Sequence, residues 1–173
     1  MKKIISLSLV LMFSTFVFAQ QDATADKMLN DAYKKASTEH KKLFIIFHAS
    51  WCGWCKKLDA SMNDNSTKKY FDESFVIVHL DVQEREGKKN LETPGADVIL
   101  QKYKGEKAGL PFFLVLNPKG ELLGDSFVNG QNLGCPASAE EVESFKALLK
   151  KTSAITDEQS KAITDRFRQN EAQ

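Results

Sequence analysis

Cys52 and Cys55 are the side chains whose type and spacing point most directly to chemistry, and they stand in Trp51-Cys52-Gly53-Trp54-Cys55-Lys56-Lys57. Positions three apart on a helix share one face with Cβ atoms roughly 5–6 Å apart, and slight tightening brings them to the roughly 3.5–4.5 Å that a disulfide requires. Such a pair opens and closes with little backbone movement. At a helix N-terminus it also meets unpaired N–H groups and the positive end of the macrodipole, which stabilise an anion. Cys52 is placed to feel that field. It can carry a thiol from about 8.5 into the range of roughly 3.5–7.5, so that thiolate, the attacking species, is available near neutral pH. Cys55, one turn deeper, is the natural resolving thiol, and Lys56 and Lys57 add positive charge on what reads as an exposed helix face.

Two thiols at this spacing have other uses. Half of a zinc site would need partners, but the only other cysteine is Cys135, and His40, His48 and His79 show no paired ligand spacing. No metal is expected on those spacings. Covalent haem attachment needs a histidine directly after the second cysteine, where Lys56 stands. An inert structural disulfide and soft-metal capture by the two thiols stay open on the residues alone.

The elements around the dithiol follow from periodicity. The unbroken apolar run Leu43-Phe44-Ile45-Ile46-Phe47 reads as a buried strand that delivers the chain to the helix N-terminus. Ahead of it, Met28, Leu29, Ala32, Tyr33 and Ala36 recur at helical spacing between Ala25 and His40. The dithiol helix should run to about Met62, with Ser66 capping a short helix that ends near Phe71. Phe75 to Val82 reads as a strand, and the helical crossover makes it parallel to the first. Gln83 to Glu92 is charged and expected to face solvent. Thr93-Pro94 has the form of a cap and first helical position, with Val98, Ile99, Leu100 and Tyr103 as apolar contacts until Gly105. A proline-led strand, Gly109 to Leu116, turns at Asn117-Pro118-Lys119-Gly120 and returns from Glu121 to Val128. Asn129 to Pro136 reads as a loop. Ser138 with Glu141, and Thr156 with Gln159, form capping boxes for two closing helices.

Residues 1–19 are set apart as a signal peptide: Lys2 and Lys3 precede an apolar run from Ile4 to Phe18 that ends in Val17-Phe18-Ala19. Ser6, Ser8, Ser14 and Thr15 interrupt the run, which is short for a membrane span of about 20 residues. Export to the periplasm or medium is expected, with cleavage near Ala19. Residues 20–173 then form one domain, its core about 25–151 and its last helix about 156–169. The charged fraction of 27% and hydrophobic fraction of 42% are ordinary for a globular domain. Without the two leader lysines, the basic count falls from 24 to 22 against 23 acids, a charge of −1 that offers nucleic acid no footprint.

Taken in order, strand, Trp-Cys-x-x-Cys, helix, strand, helix, Pro-led hairpin and helix, the sequence resembles the thioredoxin family over roughly Ala25 to Lys151. The matching stretches are Ala49 to Lys56, Leu80-Asp81-Val82, and Gly109-Leu110-Pro111-Phe112 followed by Asn117 to Glu121. Gly53-Trp54 between the cysteines, the added C-terminal helix and the leader make it similar to secreted thioredoxin-like proteins in particular. The resemblance implies an α/β thioredoxin fold, a central mixed β-sheet flanked by helices with an extra C-terminal helix. It implies a cis Pro111 facing the dithiol, a substrate segment pairing with the backbone at Leu110, and Trp51 and Trp54 bordering the reactive sulfur. It implies a protein-disulfide oxidoreductase using Cys52 and Cys55 on protein thiols and disulfides, and with the leader an exported one. No metal or organic cofactor is expected; regeneration calls for a redox partner, expected to be membrane-linked, which the sequence does not identify, and it does not fix the oligomeric state, for which a monomer is the expectation. An exported peptide-binding module using the Pro111 groove is the alternative.

Two positions depart from the family. The first strand of thioredoxin carries a buried acid that exchanges a proton with the resolving thiol, and Ile46 stands there instead. Asp59, one turn beyond Cys55, is either a substitute or an exposed helix acid. Gly53-Trp54 replaces Gly-Pro, so the family's redox potential does not carry over. His79 reads as a hydrogen-bonded structural histidine, His48 as a packing residue beside the dithiol, and Cys135 as a quiet buried thiol.

Overall fold

The structure, a computed structural model, describes residues 24–171; the proposed signal peptide lies outside them. Its axis is the apolar run, which forms β1 (Lys42–His48). β1 pairs in parallel with β2 (Phe75–Asp81) and antiparallel with β3 (Phe112–Leu116), which pairs antiparallel with β4 (Leu122–Asp125), giving the order β2-β1-β3-β4. A central strand covered on both faces needs apolar side chains at every position, so the run is continuous rather than alternating.

The two faces are covered by different helices. Leu43, Ile45 and Phe47 pack with Ala25, Leu29, Ala32 and Ala36 of α1 (Ala25–Thr38) and with Ala96 and Leu100 of α4 (Ala96–Lys102). Phe44 and Ile46 point the other way. They join Leu58 and Met62 of α2 (Gly53–Met62), Tyr70 and Phe71 of α3 (Lys68–Ser74), Phe145 and Leu149 of α5 (Ala139–Thr152), and Ile163 and Phe167 of α6 (Asp157–Arg168). The result is three layers with a mixed sheet in the middle. Both predicted capping boxes form, at Ser138–Glu141 and Thr156–Gln159. The turn at Asn117 closes with the Gly120 N–H on the Asn117 carbonyl at 2.9 Å.

Several sequence expectations are corrected. Thr67, not Ser66, precedes α3, which runs to Ser74; the Ser66 hydroxyl bonds instead to Asp64 at 2.7 Å. Thr93 does not cap α4. Its hydroxyl accepts the Asp81 N–H at 3.0 Å, tying the chain to the end of β2, and α4 starts after Gly95, whose φ is +84°. Val98 faces solvent at 64% exposure rather than the core. The returning hairpin strand stops at Asp125, because Asp125 Oδ1 accepts the Phe127 N–H at 2.9 Å and bends the chain away. Past this bend the last two residues of the expected strand form β5 (Phe127–Val128), which pairs with β6 (Gln131–Asn132) from the expected loop as a second, two-stranded sheet. Its connection, Asn129-Gly130, has φ of 50° and 80°, the left-handed pair that a two-residue hairpin requires.

Candidate active site

β1 ends at His48, and the chain reaches α2 through a turn held from outside. The Cys52 N–H bonds the Ala49 carbonyl at 3.0 Å. Glu84 accepts from both donors of Ser50, the N–H on Oε1 and the hydroxyl on Oε2 at 2.8 Å, while the Trp51 indole N–H donates to the Gln83 carbonyl at 2.9 Å. Glu84 is buried at 3% exposure, against the expectation that this stretch faces solvent. A carboxylate out of water must be paired, and here the turn supplies the donors. The Ser50 backbone N–H holds the Glu84 carboxyl below the ordinary carboxylate range, aided by the Ser50 hydroxyl and Lys88.

Cys52 is the N-cap of α2, and its Sγ accepts the Cys55 N–H at 3.1 Å. The sulfur thus occupies the place where a capping oxygen meets the orphan donors of a first turn. The two cysteines are joined as a disulfide with Cα atoms 5.3 Å apart, and both are almost fully buried. Trp51 and Trp54 flank them at 42% and 48% exposure. A cation lies on each indole, Arg85 at 5.6 Å from the Trp51 ring and Lys57 at 4.4 Å from the Trp54 ring. Lys57 also donates to the Asn170 carbonyl at 3.3 Å, so it is not simply a solvated charge.

The Leu110-Pro111 peptide is cis, and Leu110 packs against Ala49, Cys52 and Cys55. Beside it lies a groove of about 270 Å³ lined by Trp54, Leu110, Asn132, Leu133 and Cys135 among others. A larger hollow of about 550 Å³ lies between β4 and α5, but no residue of the dithiol turn lines it.

The remaining candidates resolve individually. Ile46 is buried in the apolar layer beneath α2. Asp59 is neither fully exposed nor unengaged: its Oδ1 lies 2.7 Å from His79 Nε2, the partner the sequence did not reveal. The His48 ring sits 5.1 Å from that of His79, with Nε2 3.4 Å from Asp81 Oδ1 but not aligned for a hydrogen bond. Burial pushes the His48 pKa down, and the Asp81 charge partly opposes this. Cys135 is buried and free; desolvation raises its thiol to about 12, and Asn170 Nδ2 lies 3.4 Å from its sulfur. Among the described residues, no three His, Cys, Asp or Glu side chains gather as metal ligands. Sequence reasoning missed Glu84, Asn132 and Asn170. Only the Asn129-Gly130 pair, a hairpin signal, could have drawn attention to Asn132.

Helices on both faces of this mixed sheet, with a Cys-x-x-Cys capping the helix after the central strand, define a thioredoxin-fold domain with a redox-type dithiol. The thioredoxin-like family model matches residues 22–118, more than half of the chain, and the chain belongs to that family. Among solved structures, a disulphide isomerase from Xylella fastidiosa Temecula1 is similar at a TM-score of 0.52 and 21% identity, covering 87% of this chain and 93% of that one. A DsbH oxidoreductase matches at 0.44 and 20%, covering 73% and 82%. A thioredoxin from Thermus thermophilus matches at 0.46 and 18%, covering 69% and 80%. At these identities the likeness is one of fold.

Proposed function

We propose that this chain is an exported thiol–disulfide oxidoreductase acting on protein substrates. The observation that carries it is the Cys52 sulfur at the N-cap of α2, accepting the Cys55 N–H, with Leu110 packed against the buried cluster of Ala49 and the two cysteines. In the reduced form the same N–H stabilises a Cys52 thiolate. That thiolate attacks one sulfur of a substrate disulfide; a Cys52–substrate bond forms, the substrate bond breaks, and the departing thiolate takes up a proton. Cys55, deprotonated, then attacks Cys52 Sγ. The substrate leaves as a dithiol, two electrons richer, and the protein is left with the Cys52–Cys55 disulfide seen here.

Run backwards, the same steps oxidise a substrate dithiol, and the direction is set by potentials, about 30 mV per 1.4 kcal/mol. Trp51, Trp54, Leu110 and Pro111 form the substrate-binding surface in this reading. A membrane-linked redox partner restores the working state, and the leader places the domain in the periplasm or medium.

Half-exposed tryptophans beside a groove also suit a peptide-binding module without turnover. A Cys55→Ser variant separates the two, because it can form the mixed disulfide but cannot resolve it. Isolated from the exported fraction, with its chain starting at Gln20, the oxidoreductase carries substrate proteins attached through Cys52 and released by reductant. A binding module carries none.

A further inference from the structure

We propose that Asn132 is a positioning residue for this exchange: its amide clamps the carbonyls on both sides of Leu110 and sets the peptide that an extended substrate meets. The proposal rests on the oxidoreductase reading above and adds the device that aims its substrate surface.

Asn132 Nδ2 lies 3.0 Å from the Gly109 carbonyl and 3.0 Å from the Pro111 carbonyl, and Oδ1 accepts the Gly134 N–H at 3.2 Å. A primary amide carries two donors on one nitrogen and an acceptor beside them, and here all three functions are taken. No other orientation of the amide works, since the flipped form would set its oxygen against two carbonyls. With the Gly109 and Pro111 carbonyls both turned toward Asn132, the Leu110 N–H and C=O are left without a hydrogen-bond partner among the described residues, as is the Gly109 N–H. An unpaired peptide group is what an extended chain can pair with, and the Leu110 groups belong to the residue packed on the cluster of Ala49, Cys52 and Cys55.

The clamp comes from outside the main sheet. Among the described residues β6, which ends in Asn132, pairs only with β5, and the stretch is otherwise tied back by the Leu133 N–H on the Ser126 carbonyl at 2.7 Å. The small hairpin therefore does two things at once. It holds the 109–111 segment, and through Asn132 and Leu133 it makes the wall of the groove that Trp54 also lines.

Losing two hydrogen bonds of ordinary strength should lower reaction with an extended substrate by about tenfold, through KM, and affect a small disulfide that needs no strand pairing far less. The test uses the full mature chain, its Asn132→Asp variant, which keeps the acceptor for Gly134 but loses both donors, and its Asn132→Ala variant. Each is reduced, freed of reductant and mixed in single turnover with increasing excess of a short peptide whose cysteine is disulfide-bonded to glutathione, or of dithiobis(nitrobenzoate), so that the limiting rate and the half-saturation concentration serve as kcat and KM. The expected result is that the ratio of peptide to small-disulfide kcat/KM falls about tenfold in both variants, carried by KM. An unchanged ratio overturns the clamp, whether both rates hold or both fall together. A wild-type chain unreactive toward the peptide overturns the oxidoreductase reading itself, an outcome distinct from any difference between variants.

Discussion

A single sulfur serves here as both helix cap and nucleophile, so the residues that set its turn matter as much as the two cysteines. Glu84 is foremost among them, because one carboxylate accepts from both donors of Ser50, two residues ahead of Cys52. Its pKa is depressed in the folded state by the Ser50 N–H, so its contribution to stability is present above the unfolded value of about 4.3 and is lost as pH falls through the folded value. Glu84→Gln removes that titration. Chemical denaturation at a series of pH values should show wild-type stability falling more steeply than that of the variant below about pH 4.3. Parallel curves would mean that the contact does not change protonation in folding. His48, whose folded pKa burial lowers, binds its proton less readily folded than unfolded, so it costs stability as pH falls; the Glu84 charge eases that cost in the wild type, and the variant is read against its own curve above about pH 4.3 for this reason.

Elements whose cause is local were open to inspection in the sequence. β1 announces itself because its five positions buried on both faces, Leu43 to Phe47, are all apolar, and the two capping boxes carry their own signature three residues apart. What stayed hidden depends on partners distant in sequence. Glu84 looks like one acid in a charged loop until Ser50 arrives 34 residues away to pair with it, and Asp59 finds His79 only when α2 lies on β2. β5 and β6 are two residues each, too short for alternation to register. The segment feeding β3 shows the same dependence. A Cβ at Gly105 would stand 2.5 Å from Leu100 Cδ1 and 2.7 Å from the buried Phe112 ring, so α4 and β3 approach only across a bare backbone. Gly105→Ala should cost about 1–3 kcal/mol by overpacking, measured from urea denaturation midpoints. A change within about 0.5 kcal/mol would mean that the ring and Leu100 shift freely.

At the scale of the whole molecule, α6 is a structural member of the site and not an appendage, although the family match ends at residue 118. The Phe167 ring lies tilted against those of Phe145 and Phe71, with centroids 5.1 Å and 6.4 Å away, closing the layer under α2. Just beyond the helix, Asn170 joins three parts of the chain: its amide contacts Ser61 Oγ, the Pro136 carbonyl and Cys135 Sγ, and its carbonyl accepts from Lys57. Arg168 reaches the Ala137 carbonyl at 2.7 Å, so the groove wall around Cys135 is braced from the C-terminus. Removing the Phe167 ring should therefore do two things together. Phe167→Ala is expected to cost about 3–5 kcal/mol in urea denaturation, as for other fully buried aromatics. It should also expose Cys135, whose thiol burial now holds at about 12, to alkylation under native conditions with the Cys52–Cys55 disulfide intact. Mass spectrometry of the alkylated chain reads the second effect directly. Destabilisation with Cys135 still silent would show that the groove wall stands without α6, and the helix would then matter for stability alone.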